Sequence, residues 1–192
     1  MSLNSLVKGF IEESIKAHKE SLEIIDTIVK AAEVIIAAIN NGKKIVVIGN
    51  GGSAADASHM AAELVGRYNN DRRRPLPAIA LTTDTSILTA ISNDFGFEEV
   101  YSKQCRALLN KGDVMVAIST SGRSKNIIEA IKVCKDLGVY TILLTGNNDS
   151  DASRLADLSI KVPSTKTPII QGVHRTIIHA ICAIIDEYYA KE

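Results

Sequence analysis

Tryptophan is absent from this chain of 192 residues, aromatic side chains make up 4% of it, and it holds only four prolines and three cysteines. So few flat side chains leave no platform on which successive bases could stack. An excess of one charge is missing too. The 22 basic and 22 acidic groups cancel, whereas nucleic-acid-binding domains are usually strongly basic. Cys105, Cys134 and Cys182 are odd in number and far apart, so they offer neither a disulfide framework nor a CxxC metal clip; each lies in an apolar stretch and reads as a buried thiol. Met1 to Leu6 lacks the basic segment and apolar core of a secretory signal, and charged residues such as Glu33 and Asp186 interrupt every apolar run before the ~18 residues of a membrane span. These absences point to a cytoplasmic protein with neither nucleic acid nor membrane as partner.

What is present is ordinary globular material, 46% hydrophobic and 23% charged. At ~150 residues per domain the length fits one domain spanning 1–192, with an N-terminal helical segment (1–42) and an α/β core (43–192). Leu3, Leu6, Val7, Phe10, Ile11 and Ile15, then Leu22, Ile25, Ile28, Val29, Ala32, Ile36 and Ile39, recur at helical spacing. That is long for one helix, so a break is expected near His18 to Ser21, and Asn40-Asn41-Gly42 is a stop. From Lys44 the period changes. Strands are expected at Lys44–Ile48, Ala78–Leu81, Val114–Ile118, Val139–Leu144 and Leu158–Val162. Helices are expected at Ala54–Gly66, up to Ser92, up to Leu109, at Asn126–Leu137, at Ala152–Leu155 and at Ile169–Tyr189. Asn93-Asp94-Phe95-Gly96 reads as a turn and Pro163 to Pro168 as a loop. The alternation specifies a five-stranded parallel sheet with helices on both faces, a three-layer sandwich, and the N-terminal helices are left for oligomerisation. Arg72-Arg73-Arg74, the one charge cluster, reads as a solvated surface loop.

In such a sheet, ligands bind beyond the carboxyl ends of the strands. Ser119-Thr120-Ser121-Gly122-Arg123-Ser124 puts four hydroxyls and a glycine directly before a helix. Its free N–H groups and positive dipole end suit an anion, phosphate above all. Gly49-Asn50-Gly51-Gly52-Ser53 offers main-chain donors that a ligand can approach closely. Neither GxxxxGK[ST] nor GxGxxG occurs, which argues against nucleotides. His59 and Glu63 stand four apart on the helix that follows and share a face, a suggestive metal pair. In the last helix His174 and His179 differ by about 140° and face different ways. Gln171 and His179 share a broad face but lie about 12 Å apart along the axis, so either the helix start bends or the site gathers groups from more than one chain.

The run Gly49-Asn50-Gly51-Gly52-Ser53-Ala54-Ala55-Asp56-Ala57-Ser58-His59-Met60-Ala61-Ala62-Glu63-Leu64-Val65-Gly66-Arg67-Tyr68 resembles the signature of the bacterial phosphoheptose isomerases, which are sugar-isomerase (SIS) domain proteins. Leu81 to Thr85, Ser92 to Phe97 and Ile118 to Ser124 resemble it too, and the likeness covers almost the whole chain. The resemblance implies a homotetramer with active sites between subunits. It would convert sedoheptulose 7-phosphate, a phosphorylated seven-carbon sugar, into D-glycero-D-manno-heptose 7-phosphate, the first step towards nucleotide-activated heptose for surface polysaccharide. It implies that Ser53, Ser119, Thr120, Ser121 and Ser124 hold the phosphate, and that Asn50, Gly51, Gly52, Asn93, Asp94 and Gln171 hold the sugar. It further implies one zinc on His59, Glu63, Gln171 and His179, with Glu63 and His179 moving protons. A carboxylate and an imidazole suit ketose–aldose exchange through an enediolate, which zinc would stabilise.

The sequence departs from that family at Ile169 and Gly172, where an arginine and a glutamate are usual; Arg175, Lys161 and Lys166 are the candidate replacements for the lost positive charge. Two other readings follow. A non-catalytic relative resembling the DnaA initiator-associating protein lacks the proton-transfer pair, which Glu63 and His179 preserve here. An isomerase or sensor for another phosphosugar is the other.

Overall fold

A computed structural model describes residues 2–69 and 73–191. Helix α1 (Leu3–Glu20) is capped by Ser2, whose hydroxyl accepts from the Ser5 N–H. A single 3-10 turn at Ser21–Ile24 joins it to α2 (Ile25–Asn40). The expected break is therefore a tightening that begins at the end of the expected window rather than an interruption. His18 fixes α1 against the last helix: its Nδ1 donates to the Ser14 carbonyl (2.8 Å) and its Nε2 is hydrogen-bonded with the Thr176 hydroxyl (3.0 Å).

Strands β1 (Ile45–Gly49), β2 (Ala78–Ala80), β3 (Val114–Ile118), β4 (Tyr140–Gly146) and β5 (Leu158–Val162) form one parallel sheet in the order β2-β1-β3-β4-β5. Between them run α3 (Gly52–Val65), α4 (Thr85–Phe95), α5 (Ser102–Leu108), α6 (Lys125–Leu137) and α7 (Asp151–Leu155), and α8 (Thr167–Tyr189) closes the chain. Side chains alternate across the pleat. Val47, Val116, Ile118, Ile142 and Leu144 pack under α2, α3 and α8, and Val46, Ile48, Met115, Ala117 and Leu143 pack under α5 and α6. Both faces are covered at the centre of the sheet, so β1 and β3 are apolar and buried throughout, as parallel sheets require. Burying each such side chain stabilises the fold by about 1.5–3 kcal/mol.

Composition and length alone would let α8 span a membrane. Its Ile170, Val173, Ile177, Ile178, Ile181 and Ile185 are instead buried in the core. The three cysteines are buried as well; the Cys105 and Cys134 sulfurs lie 3.9 and 3.5 Å from that of Met115.

The chain leaves β1 towards β2 on one side, while β3 lies on the other. This divergence is the topological switch where open α/β sheets form a crevice. Pairing of Gly49 with Ile118 sets the glycine loop beside the hydroxyl loop.

Candidate active site

The hydroxyl loop is held in place before any ligand arrives. The Ser119 N–H donates to the Leu144 carbonyl and the Gly146 N–H to the Thr120 carbonyl, both at 3.0 Å, so the loop rests on the end of β4. Ser119 Oγ accepts from the Gly122 N–H and Ser121 Oγ from the Arg123 N–H, each at 3.2 Å. Gly122 has φ +63°, and a Cβ there would fall 2.1 Å from Ser150 Oγ, so glycine alone fits. Ser124 is the N-cap of α6, yet its hydroxyl makes no capping bond among the described residues. An N-cap hydroxyl normally satisfies a first-turn N–H; this one could donate to an anion at the positive end of the helix.

The glycine loop turns as tightly. A Cβ on Gly49 would lie 2.5 Å from the Ser53 carbonyl oxygen, which forbids any side chain there. α3 begins at Gly52, two residues before the expected start, so Ser53 lies buried in its first turn rather than in the loop. The Gln171 amide nitrogen is 2.9 Å from where a Gly52 Cβ would stand; the absent side chain is the room Gln171 occupies. Tyr101 donates to the Gly49 carbonyl at 2.5 Å, and burial pushes its phenol up to about 12, so it stays a neutral donor. The Asn50 and Asn126 side-chain amides bond reciprocally at 2.9 and 2.8 Å.

The third component is a cluster. His59 Nε2 lies 3.3 Å from Glu63 Oε1, one turn further along α3, and 2.9 Å from His179 Nε2 on α8. The two rings stack with centroids 5.0 Å apart and planes 23° from parallel. The three ligand atoms lie within 4.8 Å of one another, and all three residues are half-buried. Two imidazole nitrogens and a carboxylate oxygen converging this closely fit a divalent metal. Tyr68 closes one side, its ring edge-on to His179 at 5.8 Å. Desolvation first, then the neighbouring Cys182, Glu63 and Asp186, raise its phenol above the ordinary value.

Arg73 keeps the two helices in register. It is only 6% exposed, so the expectation of a solvated arginine loop is wrong at this position; Arg72 lies outside the described residues. Its guanidinium donates to the carbonyls of Glu63 (2.8 Å), Leu64 (2.9 Å) and Gly66 (3.3 Å) at the end of α3. It also donates to the Arg74 carbonyl (2.8 Å) and pairs with Asp186 Oδ1 on α8 (2.9 Å). Removing one partner from such a buried pair leaves an uncompensated charge and costs ~3–5 kcal/mol.

Other sequence candidates separate. His174 is fully buried, with no well-formed hydrogen bond to either ring nitrogen among the described residues. Desolvation pulls it down to about 4, against the opposing Thr145 backbone and Asp56 charge. It is a neutral core residue, and His179 is the histidine in the cluster. Asn93 and Asp94 lie in the last turn of α4 rather than in a turn, because Gly96 at φ +97° is what ends the helix. They are exposed and bond to each other at 2.8 Å. No hydrogen bond from either reaches the two loops among the described residues. Ile169 is buried in the core and Gly172 faces open space. Of the three candidate cations, Arg175 is held by Asp56 (2.5 Å) and Lys166 by Glu13 (2.8 Å). Sequence reasoning missed Asn126, Arg73 and Tyr101. An asparagine in the first turn of a helix, poor at helix formation, is a faint signal for the first; nothing in the sequence separates Arg73 from its neighbours.

Comparison with known proteins adds independent findings. The SIS domain family profile matches residues 10–146. The chain is 49% identical over 185 residues to the phosphoheptose isomerase of Aliarcobacter butzleri, covering 94% of this chain and 97% of that one. The solved phosphoheptose isomerase of Neisseria gonorrhoeae is 44% identical with a TM-score of 0.91, covering 97% and 100% of the two chains. That of Francisella tularensis is 36% identical with a TM-score of 0.94 at the same coverage.

Proposed function

The chain belongs to the SIS domain family and, within it, to the phosphoheptose isomerases; from that premise we propose how its residues divide the reaction and what they bind. It is an isomerase that converts sedoheptulose 7-phosphate into D-glycero-D-manno-heptose 7-phosphate. The observation that carries the catalytic reading is the convergence of His59, Glu63 and His179. In ketose-to-aldose exchange a proton leaves carbon 1, an enediolate forms, and a proton arrives at carbon 2 while the oxygens exchange theirs. Glu63 and His179 are the acid–base pair for those transfers. His59, Glu63 and His179, with Gln171 as the fourth ligand that the family resemblance implies, would hold one zinc per subunit. Zinc, when bound, would polarise the substrate oxygens and stabilise the enediolate.

Ser53, Ser119, Thr120, Ser121 and Ser124 hold the phosphate in this reading. Asn50, Gly51, Gly52, Gln171, Asn93 and Asp94 surround the sugar. That Asn93 and Asp94 bond to each other and to neither loop among the described residues accords with a homotetramer with active sites between subunits. So does the stripe of Leu3, Leu6, Val7, Phe10, Ile11 and Ile15, which is 49–81% exposed; contiguous apolar patches of that kind mark interaction surfaces. The role would be the first cytoplasmic step towards nucleotide-activated heptose for surface polysaccharide.

The test is an assay of purified protein with sedoheptulose 7-phosphate, before and after chelation, with the mass measured by light scattering. Turnover by a tetramer that chelator abolishes and zinc restores is expected. Full activity in metal-free protein sinks the metal assignment, and a monomer at full activity sinks the shared site. Ile169 and Gly172 favour a second reading, another phosphosugar as preferred substrate, and an absence of turnover with phosphosugar binding intact would select it.

A further inference from the structure

The glycine loop and the hydroxyl loop leave the ends of neighbouring strands, and one contact ties their side chains together. Asn50 Nδ2 donates to Asn126 Oδ1 at 2.9 Å, and Asn126 Nδ2 donates to Asn50 Oδ1 at 2.8 Å. Asn126 is 2% exposed, in the first turn of α6 two residues after the Ser124 cap. Asn50 follows Gly49, at the turn into α3. Each amide thereby fixes the other's orientation, since reversing one alone would set donor against donor and oxygen against oxygen. Asn50 has little left with which to address a sugar except its main chain.

We propose that Asn126 is a positioning residue: through its reciprocal amide bonds to Asn50 it fixes the glycine loop relative to the hydroxyl loop, so that one phosphosugar meets both at once. The proposal rests on the reading that the two loops hold the two ends of the same substrate. A ligand that touches both loops gains from their being held in register beforehand, because less ordering remains to be done on binding. Inorganic phosphate, which meets four residues of the hydroxyl loop and only Ser53 from the other side, gains much less from it. Asn50 and Asn126 act as one unit, so the effects of removing them do not add.

The experiment compares the unaltered protein with Asn126→Ala, Asn50→Ala and the double variant. Asn126→Ser, still polar but too short to reach, is used where alanine disturbs folding. Steady-state kinetics with sedoheptulose 7-phosphate and calorimetry with inorganic phosphate are the readouts. Each single variant is expected to raise KM about tenfold, the loss of roughly one or two such bonds, with kcat changed less than about threefold. The double variant should be no worse than about twofold beyond either single one, and phosphate affinity should stay within about twofold throughout. A parallel loss of phosphate affinity overturns the proposal, because Asn126 would then merely build the phosphate site. Multiplying losses in the double variant overturn it by giving Asn50 its own contact with the sugar, and an unchanged KM overturns it outright. Failure of the functional reading is distinct, since it appears as no turnover by the unaltered protein.

Discussion

The hydroxyl loop draws its four hydroxyls from six consecutive residues, 119–124, while the cluster takes His59 and Glu63 from α3 and His179 from α8, 120 positions further along than His59. The loop is shaped by local forces. A glycine at positive φ, a strand end and a helix start place its donors, and bonds to β4 hold it. The cluster owes only its His59–Glu63 half to local spacing. It depends on two helices packing with one orientation, which the buried Arg73 clasp between the end of α3 and Asp186 maintains. In the proposed reading, binding an anion and moving a proton would thus rest on parts of the fold that can be disturbed separately.

The largest effect that would sharpen this contrast comes from Glu63→Gln. Turnover of sedoheptulose 7-phosphate should fall by ~10²–10⁴, the usual range for losing a general acid–base group, while inorganic phosphate binding by calorimetry stays within about twofold. A comparable loss of phosphate binding would break the distinction between loop and cluster.

His174 is the next test, since it shares α8 with His179 but belongs to the core. Its folded value is about 4 and its unfolded value is the ordinary 6.5. Between those limits the unfolded chain binds a proton that the native state refuses, so stability falls as pH drops from 6.5 to 4. The span corresponds to about 3 kcal/mol. Urea unfolding at pH 7 and pH 4 should show that much less acid sensitivity in a folded His174→Asn variant than in the unaltered protein. Equal acid sensitivity in the two would return His174 to the charged, solvated class.

Ser124→Ala carries the smallest expected change. Because the Ser124 hydroxyl makes no capping bond among the described residues, the usual cost of ~1 kcal/mol for losing an N-cap should be absent. Phosphate affinity should drop about tenfold, as for one hydrogen bond to a charged group. A Tm that falls while phosphate affinity holds would turn this serine back into an ordinary cap.

Much of the molecule can be read without coordinates. The five strands follow from short apolar runs bounded by turn residues, and four of the expected spans, at β1, β2, β3 and β5, match to within a residue. The His59–Glu63 pair follows from helical spacing. Element ends were harder to read: Ser53 falls inside α3, and Asn93 and Asp94 inside α4, because glycines at positions 52 and 96 start and stop helices where composition suggested loops. Arg73 and Asn126 were opaque for another reason. A buried arginine and a solvated one look alike until the carbonyls and carboxylate that satisfy it are placed.

By itself, the sequence determined which segments form a parallel sheet, and the family, since periodicity, turn chemistry and helix ends act over a few residues. Helical geometry left His174 and His179 both open and the family resemblance implied His179; the tertiary structure is what brings His179 to His59. It also decided that Arg73 closes the α3–α8 junction and that Asn126 holds Asn50. Those outcomes depend on how helices distant in the chain are oriented against one sheet, and close packing permits only one such arrangement.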